Sequence, residues 1–412
     1  MARNPEDLKM SNSILTINMI TREAVRLWVN TNSFLQHIDT QYDDQFAVTG
    51  AKIGQSLRIR LPNDYTVRTG PVAQIQDTAE TSTTLTLATQ KGVDVSFNSV
   101  ERTMSLDDYS KRILAPAVNN LVGAVAADVM SGAEPGVSNL VGNFDAAGNL
   151  LKPTLDTWLQ AKALLSLRSA PTDSRKFILD PITMARTVQN LSGLLNPATE
   201  ISEQYRKGEV YNAIGFDWFE DQTVIKHTTG AYSSPAVNGA GQTGNTLTVS
   251  SLSGPLNQGD IIQIAGVNAV NRITKVSTGQ LQMFVVTANA ATGATSLSIY
   301  PAIVPPSGGS PVQYQTVDAS PANGAAITPM TLASTVYRKN LAFIPDAVTM
   351  ATADLELPKN MQETARERMD GVSMRMVTGF DIKSDQFITR LDVLYGYVWV
   401  RPEWAVAVAD II

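Results

Sequence analysis

Charge almost disappears from this chain between Lys226 and Thr335. Only Lys226, Asp260, Arg272, Lys275 and Asp318 are charged in those 110 residues, so the other 302 carry 65 of the 70 charged side chains. The segment is rich in Gly, Ser, Thr, Asn and Val. Its apolar residues alternate with polar ones in short runs: Thr246–Val249, Asp260–Ile264, Leu281–Val286 and Ser296–Ile299. A period of two is the pattern of strands with one buried face. No longer repeat appears, which excludes a solenoid. The pattern predicts an all-β, barrel-like module interrupting an α+β host.

With 43% hydrophobic and 17% charged residues, the 412-residue chain is a folded protein with core enough for two or three domains. Its net charge of −6 argues against a broad cationic face for nucleic acid. The absence of cysteine excludes disulfides, thiolate zinc sites and cysteine nucleophiles, and it fits a reducing compartment. Met1–Met10 holds Glu6, Asp7 and Lys9 and reads as no signal peptide. The most apolar helical stretch, Leu121–Met130, contains Asp128. It falls short of the roughly 18 apolar residues of a bilayer span, so a soluble protein without a membrane partner is expected.

Thr21–Ile38 is predicted as an amphipathic helix, with Ala24, Trp28, Leu35 and Ile38 inward and Arg22, Glu23 and Arg26 outward. Trp28 then serves as a core or interface anchor. Leu57, Ile59 and Leu61 alternate with Arg58 and Arg60, and further alternation over Thr83–Thr89 and Val93–Thr103 suggests a long hairpin with an arginine-bearing, solvated face. Ser105 opens a long helix over Leu106–Met130, irregular at Pro116. Thr154–Ser169 is a second helix, with Leu155, Trp158 and Leu159 inward. Lys176–Leu179 is a strand, and Asp180-Pro181 caps another helix. Beyond the charge-poor segment, Asn340–Met350, Gly371–Ile382, Phe387–Val400 and Trp404–Ala409 read as strands and turns.

The parts of a catalyst are sparse. His37 and His227 are 190 residues apart and read as surface or packing side chains. The neighbouring carboxylates Asp43-Asp44, Asp107-Asp108 and Glu220-Asp221 read as solvated pairs, Asp107 and Asp108 suiting the first turn of a helix. No phosphate-binding glycine motif is present, and no cofactor, metal or enzymatic activity is expected. Arg58, Arg60 and Arg68 lack interleaved aromatics and lie in an acidic chain. They read as a face for another protein's carboxylates rather than a phosphate strip.

Several stretches resemble one family. They are Phe177-Ile178-Leu179-Asp180-Pro181, Tyr205–Val210 followed by Gly215-Phe216-Asp217, and Gln258–Val267 within the charge-poor segment. Ala351–Pro358, Asp392–Gly396 and Arg401-Pro402-Glu403 follow in the same order. Together they resemble the major capsid proteins of tailed bacteriophages with the Hong Kong 97-type fold, and among them the short-tailed-phage coat proteins that carry an insertion domain.

The resemblance implies an N-terminal arm (1–45), an extended β-hairpin loop (46–104) and a peripheral domain with a spine helix (105–150). It further implies an axial domain in two parts (151–225 and 336–370), the inserted domain (226–335) and closing peripheral and axial strands (371–412). It implies pentamers and hexamers of one chain in an icosahedral virion capsid, assembled in the host cytoplasm. A scaffolding protein and a portal protein are the implied partners, with expansion of a procapsid around double-stranded DNA held without sequence-specific binding. Trp28, Arg58, Arg60 and Arg68 are the candidate subunit-interface residues, and no crosslink is expected at Lys52 or Lys91. A nanocompartment shell protein of the same fold and a carbohydrate-binding or adhesin-like module are the alternatives.

Overall fold

The computed structural model describes residues 17–40, 56–61, 65, 67, 70–73, 75, 82–98, 110–191, 212–233, 235–306, 312–358, 363–381 and 386–412. The helices in chain order are α1 (Ile17–Thr31), α2 (Ala115–Ser131), α3 (Ala133–Gly136), α4 (Leu155–Leu167) and α5 (Pro181–Leu191). The main strands before the charge-poor segment are β1 (Ser56–Arg60), β2 (Ser82–Thr86), β3 (Thr89–Asn98), β4 (Lys176–Leu179) and β5 (Phe216–Glu220). Within the segment run β6 (Lys226–Thr228), β7 (Gly244–Thr248), β8 (Ile261–Val270), β9 (Ser277–Val286), β10 (Ser296–Ile303) and β11 (Ile327–Pro329). After it come β12 (Val336–Phe343), β13 (Val348–Ala353), β14 (Glu363–Met369), β15 (Val372–Asp381), β16 (Gln386–Trp399) and β17 (Ala405–Ile411).

Helix α1 stops at Thr31 and not at Ile38. The Asn32 side chain accepts the Leu35 amide at 2.9 Å and turns the chain into a single 3-10 turn, Leu35–His37. Ala24, Trp28, Leu35 and Ile38 are nevertheless all buried. Pro116 sits in the first turn of α2, directly after a π-helical turn, Ser110–Leu114. Without an N–H, Pro116 cannot close an ordinary helical turn back into that stretch, and the irregularity falls where the sequence puts it. Lys111–Gly136 is long and apolar enough, by length and composition, to cross a bilayer, contrary to the sequence reading. Its apolar face, from Val118 to Met130, lies in the core instead. In α4 Trp158 is fully buried, whereas Leu159 points outward.

Two sheets organise the host. In the first, β12 pairs with β17 along one edge. Its other edge is shared, residues 341–343 pairing with β4 and 336–338 with β6. The parallel pair β4–β5 flanks a four-ring aromatic cluster of Trp158, Phe177, Phe216 and Trp218, in which Phe177 stacks on Trp218 at 4.7 Å. In the second sheet the long β16 pairs with β15 and then β13 along one edge and with β3 along the other; β14 extends it beyond β15. The predicted hairpin is therefore β1 with β2 only, because β3 joins this sheet. α1 and α2 lie against the second sheet.

The segment 226–335 has a core of its own, built entirely from residues between Val237 and Ile327. Its strands run in the order β7-β10-β9-β8-β11. Residues 235–238 close the ring. Val237 bridges Val249 beyond β7, and Ala236 bridges Ala326 beside β11. All four predicted runs are strands, and β8 and β9 extend well beyond the stretches that alternate cleanly. The two ends of the segment, β6 and β12, leave side by side as an antiparallel pair. Expressed alone, residues 226–335 are expected to give dispersed, slowly exchanging amide signals; a random-coil spectrum would show that this core needs the host.

Candidate functional site

The segment is fastened to the host by a buried charged cluster. His227 on β6 is 4% exposed and lies between two carboxylates: Nδ1 is 2.9 Å from Glu134 Oε2 and Nε2 is 2.8 Å from Asp260 Oδ1. Carboxylates only accept, so both ring nitrogens must donate, which requires the imidazolium. Glu134 belongs to α3 of the host and Asp260 to the loop before β8 in the segment. The other Asp260 oxygen accepts the Asn257 amide at 2.7 Å and the Gly230 amide at 3.1 Å. Gly259 holds φ +93°, and a Cβ there would overlap Glu134 and touch His227, so glycine is required twice over.

On the neighbouring strand, Tyr337 meets His227 edge to face at 5.3 Å, and Lys339 is fully buried. Among the described residues Lys339 Nζ has no hydrogen-bond partner. Two carboxylates, the imidazolium and the ammonium make a cluster with no net charge, the condition under which such groups tolerate burial. Burial opposes charge on His227, but its hydrogen bonds to Asp260 and Glu134 lift its pKa above the ordinary 6.5. For Glu134, burial pushes the other way, and the bond from His227 with the Lys339 charge brings the carboxyl below its ordinary 4.5. Burial holds Lys339 below its ordinary value against the attraction of both carboxylates.

Two further contacts join segment and host. Glu403 accepts from Arg272 at 3.2 Å and from the Tyr300 hydroxyl at 3.4 Å. Arg168, at the C-terminal end of α4, donates to Asn139 at 3.1 Å and to Gln282 of β9 at 2.9 Å. The segment is thus held at several points and is not hinged on its two connections alone.

The β1–β2 ribbon is the other feature that stands out. Ile59 and Leu85 bury one face against Ala351, Ala353 and Leu394. Arg58 and Arg60 lie on the opposite, exposed face, where Arg58 donates to Ser82 at 2.8 Å. Between the two strands, Tyr65, Val67, Val72 and Ile75 are exposed, the last at 95%. Arg68 lies outside the described residues. Trp28 is 3% exposed and packs in the first core, the core half of its predicted role.

Sequence reasoning missed the His227 cluster. The signal available was Asp260, a carboxylate retained in a segment nearly free of charge. The Glu220-Asp221 pair is not simply solvated, since Asp221 is buried and accepts the Phe34 amide at 3.2 Å and the Thr223 amide at 2.8 Å. Asp43, Asp44, Asp107 and Asp108 lie outside the described residues. Among the described residues no group of three or more His, Cys, Asp or Glu side chains is placed to hold a metal ion.

The cluster predicts a pH dependence with a definite sign. The stabilisation from His227, whose pKa is raised, is complete below 6.5 and is lost as pH rises through its folded value. That from Glu134, whose pKa is lowered, is complete above 4.5 and is lost as pH falls through its folded value. Both are therefore whole between those two values. Lys339 acts oppositely at alkaline pH, its cost easing once it deprotonates. With just two histidines in the chain, imidazole NMR signals are readily assigned. His227 is expected to titrate above 6.5, and His37, half-buried against Phe219 and near Lys176, below it. The reverse order would contradict the cluster. His227→Ala at pH 6 is expected to cost about 3–5 kcal/mol in chemical denaturation, because it strands two buried carboxylates.

Comparison with known proteins bears on what such a chain builds. No curated protein sequence matches it. Among solved structures, one from Mycobacterium phage Che8 is 11% identical, with 92% of this chain and 90% of that chain covered, at a TM-score of 0.45. The capsid structure of cyanophage P-SCSP1u is 13% identical over 87% of this chain and 84% of that one, at 0.40. The CUS-3 coat protein I-domain is 33% identical over 94% of its own length and 24% of this chain, at 0.20. The profile of the P22 coat protein, gene protein 5, matches residues 47–408. That match runs through the host and the charge-poor segment alike, and the chain belongs to the P22 coat protein family.

Proposed function

We propose that this chain is the major capsid protein of a tailed phage and builds a closed icosahedral shell of Hong Kong 97-type subunits, with 226–335 as an inserted domain. Family membership carries the reading, and the single match across 47–408 favours a coat protein over a nanocompartment shell or a sugar-binding module. The ribbon supplies the means. Its arginines and exposed apolar residues let one subunit reach a neighbour with charge pairing for orientation and apolar burial for adhesion. Heterologous contacts between identical chains close into a shell when the geometry allows.

The finer steps are part of the same proposal. A scaffolding protein guides assembly of a procapsid in the host cytoplasm, a portal protein occupies one vertex, and the shell expands around double-stranded DNA. A net charge of −6 suits a wall that holds no tight grip on packed phosphates. The segment 226–335, fastened through a buried cluster, stiffens the subunit that enters the shell.

The test is electron microscopy of the chain expressed with and without a scaffolding protein. Closed shells of uniform size are expected, and monomers under every condition would overturn the reading. Arg58→Glu with Arg60→Glu is expected to leave a monomer of nearly unchanged stability, since exposed pairs contribute about 0.2–1 kcal/mol. The same variant is expected to assemble poorly, because like charges facing each other across an interface cost several kcal/mol. Normal shells from this variant would remove the ribbon arginines from the account.

A further inference from the structure

A cleft of about 600 Å³ opens where the segment, the host and the ribbon meet. Its charged lining is Arg168, Arg272, Lys275 and Arg401 with one carboxylate, Glu403, a formal excess of +3 within a chain of net −6. Glu403 is already engaged, with Arg272 at 3.2 Å and Arg401 at 3.9 Å. The guanidinium of Arg168 is bonded to two neutral amide oxygens, those of Asn139 and Gln282. Its burial depresses its pKa against the pull of Glu403. The remaining walls are largely apolar and aromatic, and Leu61 and Ser82, where β1 and β2 pass into the connection between them, form one side.

The rim is prepared as well. Asn271 accepts the Ile273 amide at 2.9 Å and the Thr274 amide at 3.0 Å, while the Lys275 amide bonds back to the Asn271 carbonyl at 2.8 Å. That locked turn between β8 and β9 displays Ile273 and Val276 to solvent at 69% and 64% exposure, on either side of Lys275. Cations in a partly apolar cleft, beside a turn that exposes apolar side chains, fit a peptide that carries carboxylates beside apolar residues.

We propose that this cleft is a docking site for an acidic-apolar segment of a second copy of the chain. The reading rests on the shell-building function proposed above. Charge complementarity selects the occupant: the cleft is cationic, the rest of the chain is acidic in excess, and other copies are the partner a shell protein meets at the highest concentration. Continuity with the connection end of the ribbon puts the cleft beside the surface proposed above for subunit contacts. Phosphates would satisfy the cations but would leave Ile273 and Val276 uncovered.

Two variants at the rim test it, Lys275→Glu and the double change Ile273→Ser with Val276→Ser. The double change, at exposed positions, is expected to keep a thermal midpoint within about 2 °C of the wild type, and Lys275→Glu, which gives up the bond from Nζ to the Gln313 carbonyl, a somewhat lower one. Each is expected to slow assembly about tenfold by light scattering, with the loss in Lys275→Glu greatest at low salt. A synthetic peptide of alternating Glu and Leu is expected to slow wild-type assembly and to bind Lys275→Glu more weakly. Wild-type rates in both variants would overturn the proposal. So would unchanged assembly in Lys275→Glu together with lost binding of a 20-nucleotide single-stranded DNA, which would assign the cleft to nucleic acid. A wild-type chain that forms no shells would instead fail the function reading, so the two failures are distinguishable.

Discussion

Strand β12 is the constraint on which the rest of the structure depends. It pairs with β17 along one edge, and on the other it gives residues 341–343 to β4 and 336–338 to β6. Its Leu341 and Phe343 enter the core shared with α1 and α2, and its Ala342 the core around Trp158 and Phe177. Its Lys339 lies fully buried in the electrostatic field of Glu134 and Asp260. A chain that leaves the host at β6 and returns at β12 therefore comes back into a slot defined by backbone pairing and by charge. The barrel between them is tied down further by Arg272, Gln282 and Tyr300, which meet Glu403 and Arg168 of the host.

That arrangement suits a building block. Buried ion pairs contribute little net stability against an apolar replacement, but they penalise any geometry that leaves one partner alone. The cluster thus sets where the barrel sits more than how tightly the chain folds. Subunits that must match several neighbours need a defined shape before assembly. The parts proposed to adhere, the exposed ribbon and the cleft beside it, can then remain open without spoiling the fold.

Much of this was legible in the sequence, for physical reasons that differ by element. The barrel strands showed because burying one face without charge leaves a clean period of two. Their full length did not, because β8 breaks register between Gln263 and Asn268, with Gly266 at φ +79°. β14 was invisible: Glu363, Arg366, Glu367 and Arg368 carry charge, and Ala365 alone is buried. β3 alternates as predicted, but local pattern cannot choose between a hairpin partner and β16, nearly three hundred residues away. The His227 cluster is of the same kind. Its carboxylates lie 93 and 33 residues from the histidine, so nothing in the neighbourhood of His227 announces a partner. The ribbon arginines were legible because alternation on an exposed strand is a local property.

Hydrogen–deuterium exchange on the free subunit and on the assembled shell tests the central claim most directly. The account predicts that the β6–β12 pairing and the amides held by Asp260 are strongly protected in the free subunit and change little on assembly. The ribbon strands and the turn after β8 are predicted to gain protection only in the shell. Amides of the β6–β12 pairing that exchange freely until the shell forms would contradict a prefixed barrel, and a ribbon equally protected in both states would contradict its role between subunits.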